Sequence, residues 1–570
     1  MKHMLRYTLL FTAIVLVATS CKKSLPEQTK YIPKDAVFVF DLNWKSLSDK
    51  ASKGNINWDS LYKSVADEEA DSAIREGRKV MQEFMRSGID TTKDIFFFAK
   101  MGGSIMGGQQ VSGGVVGAMK DAVAFEAYIK GQPRAGEIRK GNNYSYIKLE
   151  NELFVGWNKD VVILTGVQNQ SVRYNDSTGP GVSADNSGGA AALAALFAQK
   201  EEESVASITE FQELMKEKGD MLFWSNSSSA FSSVPFLGMT KIADLFKDSY
   251  GAGVINFEDG KVTASFKSYS GKDLAAIWDK YKGPQADMGM VNQFPSPVEG
   301  YAAFSFNPQI IAEIVKYGGF ESTVKQFMEK AGFTMDDVLK IFKGDFAIVF
   351  GDIAYEETSY TFDDQVYKTK RPVAKLVFNA AIGDKAAYDK VAAKLAEMGE
   401  MEMKNGQYVP KQLGEMAWSM DGKNLIIATD STLLQQYLAG KGNAAVPSNI
   451  ADQSKGKAFA FYVDINKILG AFAKDSAGAE TIKAAQSTFN SAIATSENYN
   501  GKYVASNMEL KMANDKENSL VSLVKFFAAV SKEAVSMENR MNHGGMSDME
   551  MEDMPHADSD AIPPPPPPKQ

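Results

Sequence analysis

The chain of 570 residues has one cysteine and three histidines, and their positions exclude whole classes of chemistry. His3 lies at the start, His543 and His556 lie close to the end, and neither His nor Cys recurs between Cys21 and His543. That long body cannot assemble a Ser-His-Asp or Cys-His nucleophile system, a His-ligated zinc or iron centre, or a structural Cys/His zinc. It also has no disulfide. Carboxylate chemistry, Ser/Lys chemistry and oxygen-ligated metals remain open. Motifs are equally sparse. There is no G-x-x-x-x-G-K-[ST] phosphate loop and no G-x-S-x-G nucleophile elbow. Ser60-Leu61-Tyr62-Lys63 matches S-x-x-K but lacks its K-T-G and S-D-N companions, and it reads as helix surface. The Gly-rich run Gly102 to Gly108 has no following Lys and reads as a hairpin tip or linker. Asp67-Glu68-Glu69-Ala70-Asp71 lacks the spacing of a calcium loop and reads as a solvated helix face. A formal charge of −9 argues against a nucleic-acid surface. No cofactor is implied.

What is present begins with ordinary globular composition, 44% hydrophobic and 23% charged, enough to build a sizeable core. Lys2, His3 and Arg6 precede the apolar run Leu9 to Val17, which is too short for a comfortable membrane span. Ala18-Thr19-Ser20-Cys21 then resembles the bacterial lipobox, with Ala18 where that pattern usually has Leu. The resemblance implies cleavage after residue 20 and lipidation of Cys21, whose acyl chains would tether the protein to a membrane. A plain secretory signal or an uncleaved anchor is the alternative. Lys22 and Lys23 follow, and the lack of Asp there favours, by resemblance to Gram-negative sorting rules, the outer membrane facing the periplasm, with surface exposure as the other outcome.

From Tyr31 the same order of elements is legible twice. Tyr31 to Asp41 parallels Pro297 to Asn307, each a strand leading into a helix. Val115 to Met119 with helical Ala122 to Lys130 parallels Ala374 to Phe378 with helical Lys385 to Met398. Phe154 to Leu164, turning at Asn158-Lys159-Asp160, parallels Ala417 to Ala428, turning at Asp421-Gly422-Lys423-Asn424, since Asn, Asp and Gly tolerate positive φ. Tyr144 to Tyr408 and Val161 to Leu425 share a spacing of 264 residues, and each of the two hairpins carries a tryptophan, Trp157 and Trp418, read as core residues. Met221 to Trp224 parallels Phe459 to Val463, and strands over Gly253 to Ser268 and Val504 to Phe527 close the halves. Asp176 to Gly189 reads as an exposed loop, with helix over Ala190 to Lys218. The expected organisation is a signal peptide over 1–20, a lipidated tether over 21–30, α+β halves over 31–283 and 297–535, and a disordered tail over 540–570. The fold class is α+β, two pseudo-equivalent halves of mainly antiparallel sheet with helices packed on one side.

The tail combines His543, Met546, Met549, Met551, Met554 and His556 with acidic residues, then six prolines from Pro563 to Pro568. Thioether and imidazole suit Cu(I), whereas the same composition also serves as a solvated spacer ending in a polyproline II rod.

With the lipobox, the Tyr31-Ile-Pro-Lys-Asp-Ala start and the repeated element order in view, the chain resembles a family of Bacteroidota envelope lipoproteins defined as a domain of unknown function, over about Tyr31 to Val530. That resemblance implies an envelope lipoprotein and transfers no functional residues. Asp59-Ser60-Leu61, Asp71-Ser72-Ala73, Asp90-Thr91-Thr92 and Asp475-Ser476-Ala477 fit the short O-glycosylation pattern of that phylum. Two functions are carried forward. One is a non-catalytic binding or scaffold module with an envelope protein partner; the other is a carrier or sensor of a small apolar ligand, motivated by 34 Phe and 27 Met. A carboxylate-based enzyme is the distant third. If the tail takes Cu(I), titration of the isolated tail gives an affinity better than micromolar; weaker binding leaves the spacer reading.

Overall fold

The computed structural model describes residues 25–54 and 87–543, apart from 105–107, 133–135, 150–151, 176–178, 186–187, 233, 235–239, 363–364, 405, 415, 441, 443–445 and 473–478. Strands of alternating apolar pattern come first in chain order as β1 (Phe38–Leu42), β2 (Ile95–Ser104), β3 (Gly108–Ala118), β4 (Arg139–Lys140), β5 (Ser145–Lys148), β6 (Phe154–Trp157), β7 (Val161–Asn175), β8 (Gly179–Asp185), β9 (Met221–Asn226), β10 (Tyr250–Glu258) and β11 (Lys261–Tyr269). Then follow β12 (Gly300–Ser305), β13 (Phe342–Phe362), β14 (Gln365–Ile382), β15 (Met401–Lys404), β16 (Gln407–Pro410), β17 (Ala417–Met420), β18 (Asn424–Ala428), β19 (Phe459–Val463), β20 (Phe489–Ser496) and β21 (Tyr503–Met512).

All but β15 and β16, which pair with each other, belong to one antiparallel sheet. Its ladders run β6-β7-β3-β2-β1-β9-β10-β11 in the first half of the chain. In the second half they run β17-β18-β14-β13-β12-β19-β20-β21, the same order of steps. The two series meet through β11 and β21, from Lys261 opposite Lys511 to Tyr269 opposite Tyr503. Glu509 takes an ion pair from Lys261 at 3.0 Å along this seam, and the Tyr269 and Tyr503 rings meet edge to face at 5.4 Å.

Alternation along each strand sends side chains to opposite faces. On one face, Val39, Phe96, Phe98, Val116, Ile163, Leu222 and Trp224 pack under helices Gly189–Ala198 and Thr209–Leu214. In the second half, Tyr301, Ala303, Val349, Val377, Ile426 and Tyr462 pack under helices Ser431–Leu438 and Ser448–Ser454. The Pro-rich stretch between the halves is part of that second core, with Phe294 and Val298 buried. Helices also occupy the other face, at its outer parts. Helix Ala122–Lys130 places Phe125 and Ile129 on Trp157, and helix Lys385–Glu397 places Tyr388 and Val391 by Met420 and Leu425. Each of these helices is started by an aspartate whose Oδ1 accepts two backbone N–H bonds, Asp121 in one and Asp384 in the other.

The last helix of each half lies against the first helix of the other. Helix Lys272–Lys280 meets helix Gln309–Tyr317, where the Tyr281 hydroxyl and Lys280 ammonium reach Glu313 at 2.7 and 3.0 Å and the Tyr317 hydroxyl reaches Asp273 at 2.7 Å. Helix Ser519–His543 meets helix Trp44–Lys53, with buried Val521 seated where Gly54 lacks a side chain.

Several expectations change. The Asn158 and Asp421 side chains hold equivalent turns, each accepting from the backbone N–H groups two and three residues on. The hairpins are therefore one residue out of step with the 264 spacing: Trp157 and Met420 each stand just before the turn, and Trp418 lies one place back on the same face. Trp157 is buried, whereas Trp418 is half-buried. Residues 179–185 are strand, not loop, because the long β7 offers them an edge to pair with from Asn169 to Asn175. Helix over 190–218 is broken into Gly189–Ala198, short 3-10 turns and Thr209–Leu214. The closing strand ends at Met512, and residues from Ser519 onward are helical through His543, three residues past the expected start of the tail. The folded body also takes in part of the expected tether, since Gln28 and Thr29 are buried in a 3-10 turn.

Helix Met335–Ile341 is joined to helix Lys385–Glu397 through Asp337, which accepts from Lys390 Nζ at 2.6 Å and closes a capping box with Thr334. The Lys390 ammonium, then the Thr334 hydrogen bonds, hold the Asp337 carboxyl down at about 2. Its folded value lies below its unfolded value, so its stabilisation is present above about pH 4 and is lost as pH falls through about 2. Asp337→Asn is expected to cost about 1 kcal/mol near neutral pH, discounted for solvent screening, and almost nothing near pH 2, as read by urea unfolding at both.

Candidate functional site

The face opposite the two main cores carries a second apolar pattern. Phe38-Val39-Phe40 in β1 sends both phenylalanines to it while Val39 enters the core. Phe40 stands directly opposite Phe97 of β2 and Phe223 of β9, so three neighbouring strands present Phe in one cross-strand row. The second half does the same on its matching strands, where Phe304 of β12 stands opposite Phe346 of β13 and Phe459 of β19. The rings touch: Phe40 and Phe223 lie 5.0 Å apart, Phe304 and Phe346 lie 5.1 Å apart and nearly parallel, and Phe306 extends that stack at 5.7 Å from Phe346. None of these six row residues joins a buried cluster among the described residues; Phe97 is exposed and the others are half-buried.

Between the rows the floor is lined by small residues. Gly253, Ala264, Ser268, Ser496 and Ser506 lie on this face around the seam. A side chain at Gly253 would run into the Phe266 ring, and one at Gly300 into the Phe350 ring, so those rings lie flat on glycine instead of standing up from the sheet. Met101, Ile348 and Met508 also project from this face and are exposed. The result is a low aromatic floor crossing both halves, larger in extent than scattered surface residues would give.

A different constellation lies near the end of β1. A cavity of about 410 Å³ brings Asp41, Asp94 and Asp220 together with Lys50. Asp220, 2% exposed, is fully engaged: Oδ1 accepts from Ser46 Oγ at 2.6 Å, and Oδ2 accepts from Lys50 Nζ at 2.5 Å and the Phe257 N–H at 2.6 Å. Lys50 also donates to the Phe257 carbonyl at 2.8 Å. This carboxylate thus fastens helix Trp44–Lys53 to β9 and β10. Carboxylates from such distant segments cannot be paired from sequence alone, and here the one with every bond resolved is spent on the fold. No group of three or more His, Cys, Asp or Glu able to hold a metal ion occurs among the described residues.

Of the residues singled out from sequence, Cys21, Met546, Met549, Met551, Met554 and His556 lie outside the described residues, as does the Ser60 to Lys63 motif. His543 is the last residue of the C-terminal helix. No helix among the described residues is long and apolar enough to cross a membrane.

A family model described as "Domain of unknown function (DUF4836)" matches residues 28–520. The chain belongs to the DUF4836 family. That match takes in every strand of the sheet, so the seam and both aromatic rows are features of the DUF4836 region itself. No curated protein and no solved structure matches the chain.

The aromatic floor was missed from sequence, although its signal is present. Phe38-Val-Phe40, Phe304-Ser-Phe306 and Phe459-Ala-Phe461 place Phe two apart in or just past strands, with the intervening residue buried, so the phenylalanines fall on the face opposite the main core.

Replacing Asp220 by Ala leaves Lys50 without its buried partner and the Phe257 N–H without an acceptor. We expect a loss of about 3 kcal/mol in thermal or urea unfolding, with Asp220→Asn losing less.

Proposed function

We propose that this protein is a non-catalytic binding or scaffold module of the cell envelope that engages a protein partner through its aromatic floor. The supporting observation is the pair of Phe rows, Phe97-Phe40-Phe223 and Phe346-Phe304-Phe459, left outside the buried clusters on one face of a single sheet. Aromatic residues with low flanking relief are the composition of interface cores, because they remove large apolar area from water at small cost in side-chain entropy. In this reading the body is a duplicated unit, 31–283 and 297–535, which would give two related contact patches on one surface. The matching order of ladders in the halves supports it.

The tether belongs to the same proposal. Lipidation of Cys21 after removal of residues 1–20 would hold the body at the outer membrane, facing the periplasm, as in a Bacteroidota lipoprotein. The Met/His/acidic and polyproline tail then serves as a spacer or docking arm.

Site-specific photocrosslinking of the full chain in its native envelope tests the partner reading. A crosslinker at Phe97 or at Phe346 is expected to give a discrete adduct with an envelope protein, and one at Val123, which is 81% exposed on helix Ala122–Lys130, is expected to give none. No adduct from either row, or the same adducts from Val123, would refute it.

A further inference from the structure

Phe97 and Phe98 are adjacent, yet Phe98 points into the opposite, core face, where a separate cleft of about 780 Å³ opens in the first half. The cleft lies between β2, β3 and β7 on one side and helix Gly189–Ala198 on the other. The helix sequence explains the space. Leu193, Leu196 and Phe197 are drawn into the core, while Ala191, Ala192 and Ala195 line the cleft with side chains too short to fill it. Phe98, Val167 and Leu196 complete an apolar lining, with the Thr165 hydroxyl, 2% exposed, donating to the Gly113 carbonyl beside it. The volume falls in the range that encloses a small organic molecule.

The charges around this lining are unequal in what they have to do. Three carboxylates and three ammonium groups contribute to it. Asp35 is paired with Lys100 at 2.7 Å. Glu203 accepts the Lys200 backbone N–H at 3.2 Å. Asp248 lies beside Tyr250, whose hydroxyl burial first and the Asp248 charge second keep protonated, pushed up to about 12. Asp35 and Glu203 are therefore engaged within the protein. Lys34 and Lys247 have no carboxylate within ion-pair distance among the described residues, and both are exposed at the cleft. An apolar lining beneath two uncommitted ammonium groups fits a molecule with a hydrocarbon or aromatic body and one anionic head.

We infer that this cleft is a binding site for a small amphipathic organic anion, its apolar body lying against Phe98, Val167 and the alanine face of the helix and its carboxylate, sulfonate or phosphate head held by Lys34 and Lys247. The site goes beyond the partner surface proposed above and lies on the other side of the sheet, so the two readings stand or fall separately.

The probe is 1-anilinonaphthalene-8-sulfonate, titrated into the full chain and followed by its fluorescence. One saturable site is expected. Lys34→Glu combined with Lys247→Glu, both at exposed positions, should weaken it by about tenfold or more. Ala192→Trp should abolish it by filling the cleft, and N-phenyl-1-naphthylamine, the same body without the sulfonate, should bind about tenfold more weakly. Phe97→Ser should leave it unchanged. Absence of saturable binding, equal binding of the neutral analogue, or indifference to the lysine pair overturns the inference. Loss of binding in Phe97→Ser with retention in the lysine variant overturns it too, and places the probe on the aromatic floor. Unfolding curves for each variant separate a lost site from a lost fold.

Discussion

The backbone pairing of β11 with β21 is the constraint on which the rest of this molecule depends. A sheet that stops at β11 or at β21 would end in a row of unsatisfied N–H and C=O groups, the edge that invites pairing with another chain. Joining the two edges satisfies both, and Lys261–Glu509 with the Tyr269–Tyr503 contact adds side-chain complementarity along the same line. The seam also makes one surface from two. Each half brings a Phe row on its own three strands, and a common face exists only because the ladders continue from one half into the other. The crossed helices reinforce this: each half's closing helix is seated on the partner half's opening helix, so separation of the halves would expose the apolar contacts of Ile310, Ile314 and Ile277 as well as the strand edges.

The general architecture was legible because its signals are local. Alternation in Phe38–Leu42 and Asn-Lys-Asp or Asp-Gly-Lys at hairpin turns carry their own geometry, and on those grounds a mainly antiparallel sheet with helices could be read. What could not be read was set by pairing across distance. Gly179-Pro-Gly-Val-Ser-Ala-Asp has poor strand propensity, yet it is a strand because β7 extends far enough to receive it. Ser519 to Phe527 has apolar residues that suit a strand or a helix equally, and the buried seat of Val521 beside Gly54 resolves it in favour of the helix. Trp157 and Trp418 do not occupy matching places, because the turns held by Asn158 and by Asp421 put Met420 where Trp157 stands, and that register is not visible in hydrophobicity.

The candidate sites divide in the same way. A sequence in which His and Cys are missing from the body states what cannot be catalysed, but not what is bound. The aromatic floor follows from i, i+2 Phe spacing plus knowledge of which face the core occupies, and the second term comes from tertiary structure. The cleft beside helix Gly189–Ala198 depends on alanines that, in sequence, resemble any good helix former. Lys34 and Lys247, with no carboxylate at ion-pair distance among the described residues, acquire meaning once Asp35 is seen to pair with Lys100 and Glu203 to accept the Lys200 N–H. Asp220 shows the converse, a buried acid near other acids that looks catalytic in outline and is consumed by helix anchoring.

Chain order gives the seam a temporal side. Strand β11 is complete at Tyr269, but its partner begins at Tyr503, so during synthesis the first half waits for nearly the whole second half before its last edge is covered. Contacts of such high sequence separation form slowly, and an uncovered strand is then open to wrong partners. Lys261 and Lys267 on that strand place charge on the waiting edge, a common means of discouraging premature pairing. The same ladder that unifies the finished protein therefore defines the interval in which the nascent chain most needs protection from its neighbours.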